Sequence, residues 1–171
     1  MPRSRSMNTL SPILEFRPGE PADQASLVAL LTDTYRGTWL PQLRAEVAER
    51  FERERRLEHY VAEYHEQFWL ALQEQRIVGM VHWRGDFLEA LHVLRSCQGL
   101  GIGGALLELA EARMRGAGID VSRLETDTFN RQSRAFYRKH GYEEVGEYPD
   151  TEWDSGFTTV LMRKRLSVEG L

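Results

Sequence analysis

Cysteine is almost absent: Cys97 stands alone in 171 residues. One thiol excludes an internal disulfide and fits a reducing compartment, so the expected location is the cytoplasm. Long apolar runs are missing as well. None approaches the roughly 18 residues of a membrane-spanning helix, so no membrane partner is expected. Basic charge is not in excess either: 22 lysines and arginines face 26 acids, a net charge of -4. That balance argues against a general nucleic-acid binder, which normally carries a basic face. The five histidines, His59, His65, His82, His92 and His140, show no metal-ligand spacing, so no metal is expected. Arginines crowd Met1 to Asn8, but no apolar stretch follows them, so they do not read as a secretory signal. What remains is 42% hydrophobic and 28% charged, an ordinary globular composition. The length suits one domain over residues 11–171 behind a frayed tail over residues 1–10.

Along the chain, Ile13 to Arg17 reads as a first strand stopped by Pro18-Gly19-Glu20-Pro21. Asp23 is placed to cap a helix whose apolar positions Leu27, Leu30 and Leu31 share a face, ending near Tyr35 or Gly37. Leu40, Leu43, Val47 and Phe51 recur at helical steps and predict a second helix, which Leu57 to Glu66 either extends or follows. Phe68 to Leu72, Ile77 to Trp83 and Phe87 to Leu94 are apolar runs with very short polar connections. Such connections join only antiparallel strands. A helix from Ala105 to Arg115, a strand from Ser122 to Thr128, a helix from Arg131 to His140 and two closing strands follow. The whole predicts a mixed α/β sheet with helices on both faces.

The chemistry centres on Gln98-Gly99-Leu100-Gly101-Ile102-Gly103-Gly104, between a strand and a helix. Glycines let backbone approach an anion, and the first helical turn presents unpaired N–H groups and a positive dipole end. As a bare pattern the loop also matches a dinucleotide fingerprint, with Asp120 near the ribose-binding position. An antiparallel meander precedes it, Arg95 to Gln98 intervenes where a tight turn is needed, and the chain beyond is short for a second Rossmann half.

A second motif joins the first: Asn130-x-x-Ser133-x-x-Phe136-Tyr137-x-x-x-Gly141-Tyr142 follows Val93-x-x-x-x-Gln98-x-x-Gly101-x-Gly103. Together they resemble the GNAT superfamily of N-acetyltransferases, over nearly the whole chain. The resemblance implies a mostly antiparallel seven-stranded sheet, splayed between its fourth and fifth strands and flanked by about four helices. It also implies acetyl-coenzyme A as co-substrate. Two positions depart from the family pattern. Arg95 stands where proline is usual, and Leu100 where a basic residue is common. Loss of one surface charge weakens phosphate binding by at most about 1 kcal/mol.

By the same resemblance, Gln98, Gly99, Leu100, Gly101, Ile102, Gly103 and Gly104 cradle the pyrophosphate. Leu91, His92 and Val93 offer backbone to the pantetheine arm, and the Val93 N–H polarises the thioester carbonyl. Asn130, Ser133 and Phe136 complete the coenzyme site, and Asn130 can also cap its helix. Tyr137 would protonate or hydrogen-bond the departing thiolate. Complete transfer from a phenol to a thiolate costs about 2 kcal/mol unless the site lowers the phenol's pKa, as Arg134, Arg138 and Lys139 could. Glu89 is the candidate general base, expected to share a strand face with Leu91 and Val93. Cys97 has no arguable histidine partner and reads as inert. The acceptor side falls to Thr34 to Trp39 and to an acidic, aromatic loop with Glu147, Tyr148, Asp150, Glu152, Trp153 and Asp154. That rim suits a cationic small-molecule amine attacking directly in a ternary complex. A protein amino terminus, a lysine side chain, or non-catalytic acyl-coenzyme A sensing are the alternatives. Dimers are common among similar proteins, and no interface is specified here.

Overall fold

The computed structural model describes residues 13–166. The tail expected at residues 1–10 lies outside them. Seven strands form one sheet: β1 (Leu14–Pro18), β2 (Trp69–Gln73), β3 (Arg76–Arg84), β4 (Phe87–Val93), β5 (Val121–Asp127), β6 (Glu143–Pro149) and β7 (Thr158–Arg165). Their order is β1-β2-β3-β4-β5-β7-β6. Every neighbouring pair is antiparallel except β4 and β5, which run parallel.

Helices α1 (Gln24–Thr34), α2 (Ala45–Arg53), α3 (Arg56–Tyr64), α4 (Ile102–Gly116) and α5 (Arg131–Lys139) flank the sheet. Among the described residues there are five, against about four expected. The added one comes from Arg55, whose φ of 50° puts it in the left-handed region and separates α2 from α3. The helix expected from Leu40 also starts later. Pro41 lies in a single 3-10 turn and Leu43 is extended, so helix resumes only at Ala45. Asp23 does not cap α1 through its side chain. Its carboxylate accepts two bonds from Arg17, at 2.7 and 2.9 Å, and one from the Glu20 N–H at 2.8 Å. It therefore clasps the end of β1 to the turn before α1. Among the described residues, no helix is long and apolar enough to cross a membrane.

Each sheet face buries its own cluster. Leu27, Leu30, Leu31 and Val61 from α1 and α3 cover Phe68, Leu70 and Met80. On the other face Ile102, Leu106, Leu107 and Ala110 from α4 cover Val81, Leu124, Val160 and Met162. Gly79 lets α4 come close: a Cβ there would lie 2.9 Å from Leu106 Cδ1 and 3.1 Å from the His92 carbonyl. Most polar groups inside are paired, the Tyr35 hydroxyl and His65 Nε2 being exceptions. Glu111 of α4, 4% exposed, accepts bonds from Lys164 at 2.8 Å and the Tyr142 hydroxyl at 3.0 Å. This ties α4 to the far strands of the sheet.

Three register shifts, at Ala71/Leu72, His82/Trp83 and Glu144/Gly146, break the alternation of side chains. The second matters for function: His82 pairs with Ala90 and Trp83 with Leu88, so Glu89 is the extra residue. Glu89 consequently leaves the face it was expected to share with Leu91 and Val93. Those two pack toward α4, whereas Glu89 bonds Arg84, which reaches Tyr64 of α3.

Two histidines are held neutral by burial. His82 lies between the Tyr60 hydroxyl and Gln67 Oε1, and His92 Nδ1 sits 2.8 Å from Thr34 Oγ1. Desolvation lowers each imidazole to about 4. Unfolded chains take up these protons near pH 6.5, so their stabilising contribution is complete above that value. It is lost as pH falls toward 4. Urea unfolding between pH 6.5 and 5 is expected to lose about 1.4 kcal/mol per pH unit per histidine at most, and His82→Gln should flatten the slope.

Candidate active site

The site originates in a failure of pairing. β4 and β5 share only Phe87–Arg123 and Leu88–Leu124 and then part. β5 remains bonded to β7 along its whole length, so the gap opens on the β4 side. A cleft of about 720 Å³ follows, between the unpaired β4 edge at Leu91, His92 and Val93 and the start of α5.

The chain leaves β4 through a 3-10 turn, Arg95–Cys97. Arg95, which replaces the proline implied by resemblance, uses the N–H a proline lacks: it donates to Asp33 Oδ2 at 2.9 Å, and its Nε to Oδ1 at 3.2 Å. Gly99 and Gly101 then adopt φ of 79° and 84°, the left-handed region that favours glycine. Gly101 starts α4, accepting from the Ala105 N–H at 3.1 Å. The N–H groups of Gly99 to Gly104 meet no protein acceptor among the described residues. Ile102 is buried and anchors the turn, while Leu100 is 67% exposed at its tip. The last two glycines face α5 and its end closely. A Cβ on Gly103 would lie 3.4 Å from Phe136, and one on Gly104 would lie 3.2 Å from His140. Gln98 adds a side-chain link, donating to the Val93 carbonyl at 3.2 Å and accepting from Gln132 at 3.3 Å.

Asn130 caps α5, its Oδ1 accepting from the Ser133 N–H at 3.0 Å. Its amide nitrogen remains available on the cleft wall. The Ser133 hydroxyl accepts from Thr126 Oγ1 at 3.0 Å, joining α5 to β5. Tyr137 lines the cleft with its ring edge on Tyr142, and its hydroxyl has no protein partner among the described residues. Burial pushes its phenol well above the ordinary range. Of the cations that could have lowered it, Arg134 is spent on Glu144, at 2.7 and 2.9 Å, and on the Thr128 carbonyl. Cys97 is buried beside the same core.

A second cleft of about 660 Å³ opens on the α1, α2 and α3 side. Its walls include Tyr35, Phe51, Tyr60, Tyr64 and Trp153. Tyr35 stacks on Phe51 at 4.4 Å and Phe51 on Trp153 at 5.2 Å, which makes a continuous aromatic wall. Of the residues expected at this rim, Asp150, Glu152 and Trp153 from the loop before β7 line the cleft, whereas Asp154 and, on β6, Glu147 and Tyr148 do not. Asp150 shapes the loop by accepting from Ser155 and from the Trp153 N–H. Burial, then nearby Glu125, Glu89 and Asp150, raise the Glu152 carboxyl. The clefts meet at Trp39, Glu89, His92, Glu125 and Asp127, which line both.

Asp127 and the α2–α3 wall escaped sequence reading. Asp127 sits at the end of β5, just before the Asn130 motif, and its Oδ2 accepts from Trp39 Nε1 at 2.9 Å. Trp39 arrives through a π-helical turn, Tyr35–Trp39, that continues α1.

Comparisons agree with this architecture. The model of the acetyltransferase (GNAT) family matches residues 25–142. Blasticidin-S acetyltransferase of Streptomyces morookaense is 35% identical over 91 residues, which are 53% of this chain and 64% of that protein. Aminoalkylphosphonate N-acetyltransferase of Salmonella typhimurium is 34% identical over 86 residues, 44% of this chain and 55% of that protein. The matched regions thus span between about half and two thirds of these relatives' lengths. In structure, PaiA N-acetyltransferase from Thermoplasma acidophilum, solved with coenzyme A, superposes with a TM-score of 0.70 at 21% identity. The match covers 90% of this chain and 99% of that one. YjaB from Escherichia coli gives 0.74 at 21% identity, covering 88% and 97%. The splayed sheet, the glycine turn and the family match converge: the chain belongs to the GNAT family of acetyltransferases.

Proposed function

We propose that this chain transfers an acetyl group from acetyl-coenzyme A to the primary amine of a small cationic molecule, by direct attack within a ternary complex. The observation that carries the reading is the meeting of two unlike clefts at one gap in the sheet. One end offers unpaired backbone N–H groups at a helix start, the right donors for a pyrophosphate. The other is walled by aromatic rings and carboxylates, the right surface for a cation. The likeness to enzymes named for blasticidin S and aminoalkylphosphonates supports a small-molecule acceptor.

In this reading the β4 edge at Leu91, His92 and Val93 holds the pantetheine arm by backbone bonds, with Asn130 and Ser133 opposite. The Val93 N–H polarises the thioester carbonyl. The Gln98 to Gly104 turn holds the pyrophosphate, and Phe136 packs beneath it. Tyr137 serves the departing thiolate. Its raised pKa makes full proton transfer costlier, so it works as a hydrogen-bond donor to developing charge, a bond worth about 1.5–3 kcal/mol. Glu89, paired with Arg84 at 3.0 Å, acts on the amine through its electrostatic field or through water.

Release of free coenzyme A from acetyl-coenzyme A, followed over a panel of polyamines, aminoglycosides, nucleoside antibiotics and amino-acid amides, tests the reading. Turnover is expected with small cationic amines and not with protein amino termini. Binding of acetyl-coenzyme A without turnover on any amine would instead identify a sensor domain. Tyr137→Phe is expected to lower kcat about 10- to 100-fold with little change in the KM of either substrate. A kcat within two-fold of the parent would remove Tyr137 from the leaving-group role.

A further inference from the structure

Three carboxylates line the junction between the clefts, and they differ in what already holds them. Glu89 is matched by the Arg84 guanidinium at 3.0 Å, so its charge is compensated. Glu125 is exposed and accepts the Tyr148 hydroxyl at 2.7 Å. Asp127 is partly buried and is held only by a neutral donor, the indole N–H of Trp39 at 2.9 Å. Its second oxygen, Oδ1, meets no protein donor among the described residues. Trp39 also sets its ring 5.8 Å from His92, so one side chain spans the gap from β4 to β5. Asp127 therefore has no cation of its own, at the point where donor and acceptor must meet.

We propose that Asp127, oriented by Trp39, receives the acceptor's ammonium group in the splay and takes its proton before attack. The assignment rests on the acetyltransferase reading. One ammonium N–H bond breaks and its proton passes to Asp127 Oδ1. The freed lone pair forms the C–N bond with the acetyl carbon, and the C–S bond breaks. A second proton from the same nitrogen ends on the thiolate as the coenzyme A thiol, and Asp127 returns its proton to solvent. Burial, with Asp150 and Glu125 nearby, raises the Asp127 carboxyl, while the Trp39 bond pulls it down. The raised value narrows the gap to an alkylammonium, which makes the proton transfer less uphill. Trp39 is the positioning residue, and Asp127 is the group that touches substrate.

The test uses the full chain with an amine found active in the panel. Asp127→Asn keeps an acceptor for the indole and removes the base. The kcat/KM for the amine is expected to fall about 100-fold or more, with the KM for acetyl-coenzyme A within about two-fold. Trp39→Phe removes the N–H and keeps a ring. It should lower kcat/KM about 10-fold and move the acidic limb of its pH profile upward, because the carboxyl loses the bond that lowered its pKa. Other groups facing Asp127 are Glu125 on β5, Asp150 and Glu152 from the loop before β7, and Glu89 and His92 on β4. Thr159 opposes it on β7. Loss of the acidic limb in Asp127→Asn separates Asp127 from these groups. Thermal melting with and without acetyl-coenzyme A checks that each variant folds, and Trp39→Phe carries the test if Asp127→Asn does not. An Asp127→Asn enzyme within three-fold of the parent, or an unshifted Trp39→Phe profile, overturns the assignment alone. A parent enzyme with no turnover on any amine overturns the acetyltransferase reading and this assignment with it.

Discussion

Everything at this site depends on two strands that stop pairing. β4 and β5 are parallel neighbours in the middle of a sheet, and their ladder ends after Leu124 meets Leu88. Unpaired backbone inside a sheet is costly unless something else bonds it, so the gap demands a ligand or water. Rigid surroundings hold it open. β5 cannot move toward β4 because seven residues of it are registered on β7, from Val121 to Asp127. β4 cannot follow β5 because α4 presses on its neighbour β3 at Gly79, and the bulge at Glu89 turns its edge. The splay is thus a property of packing on both sides, not of the residues in the gap.

The gap also has an electrical direction. At the α4 end, free N–H groups and the helix dipole favour an anion. At the α2–α3 end, Asp127 and Glu152 are both held above ordinary carboxylate values, chiefly by burial and then by neighbouring acids. Arginines stand close by without neutralising this group. Arg50 is bonded to loop carbonyls, Arg56 to Glu54, and Arg84 to Glu89. A cation entering between the aromatic walls relieves strain that the protein itself leaves uncompensated. Anion at one end and cation at the other orient the two substrates before any bond forms.

What could be read from the sequence follows from how local each requirement is. The glycine turn was legible because positive φ at Gly99 and Gly101 is a demand on single residues. Strand order in the meander was legible from connection length alone. The face of Glu89 was not, because a bulge is a property of two paired strands and leaves no mark in one. The division of α2 from α3 turned on one left-handed arginine, Arg55, a residue type with no preference for that conformation. Tyr137 lines the cleft, but the partner of Arg134 beside it, Glu144 ten residues away, was not legible because it sits on another element. Asp127 was invisible because its meaning comes from Trp39, 88 residues distant.

The departure at Arg95 explains how the two halves of the site stay in register. A proline there would stiffen the exit from β4 but could make no hydrogen bond from its nitrogen. Arg95 instead bonds Asp33 on α1 through both its backbone and its guanidinium. The guanidinium lies over Gly37, where any Cβ would come within 2.3 Å of Arg95 Cδ. Gly37 belongs to the same π-helical turn that carries Trp39 across the splay. One arginine therefore fixes both the turn leading into the phosphate cradle and the turn presenting Trp39 to Asp127. Glycine at 37 and arginine at 95 are in that sense one structural choice made at two places in the chain.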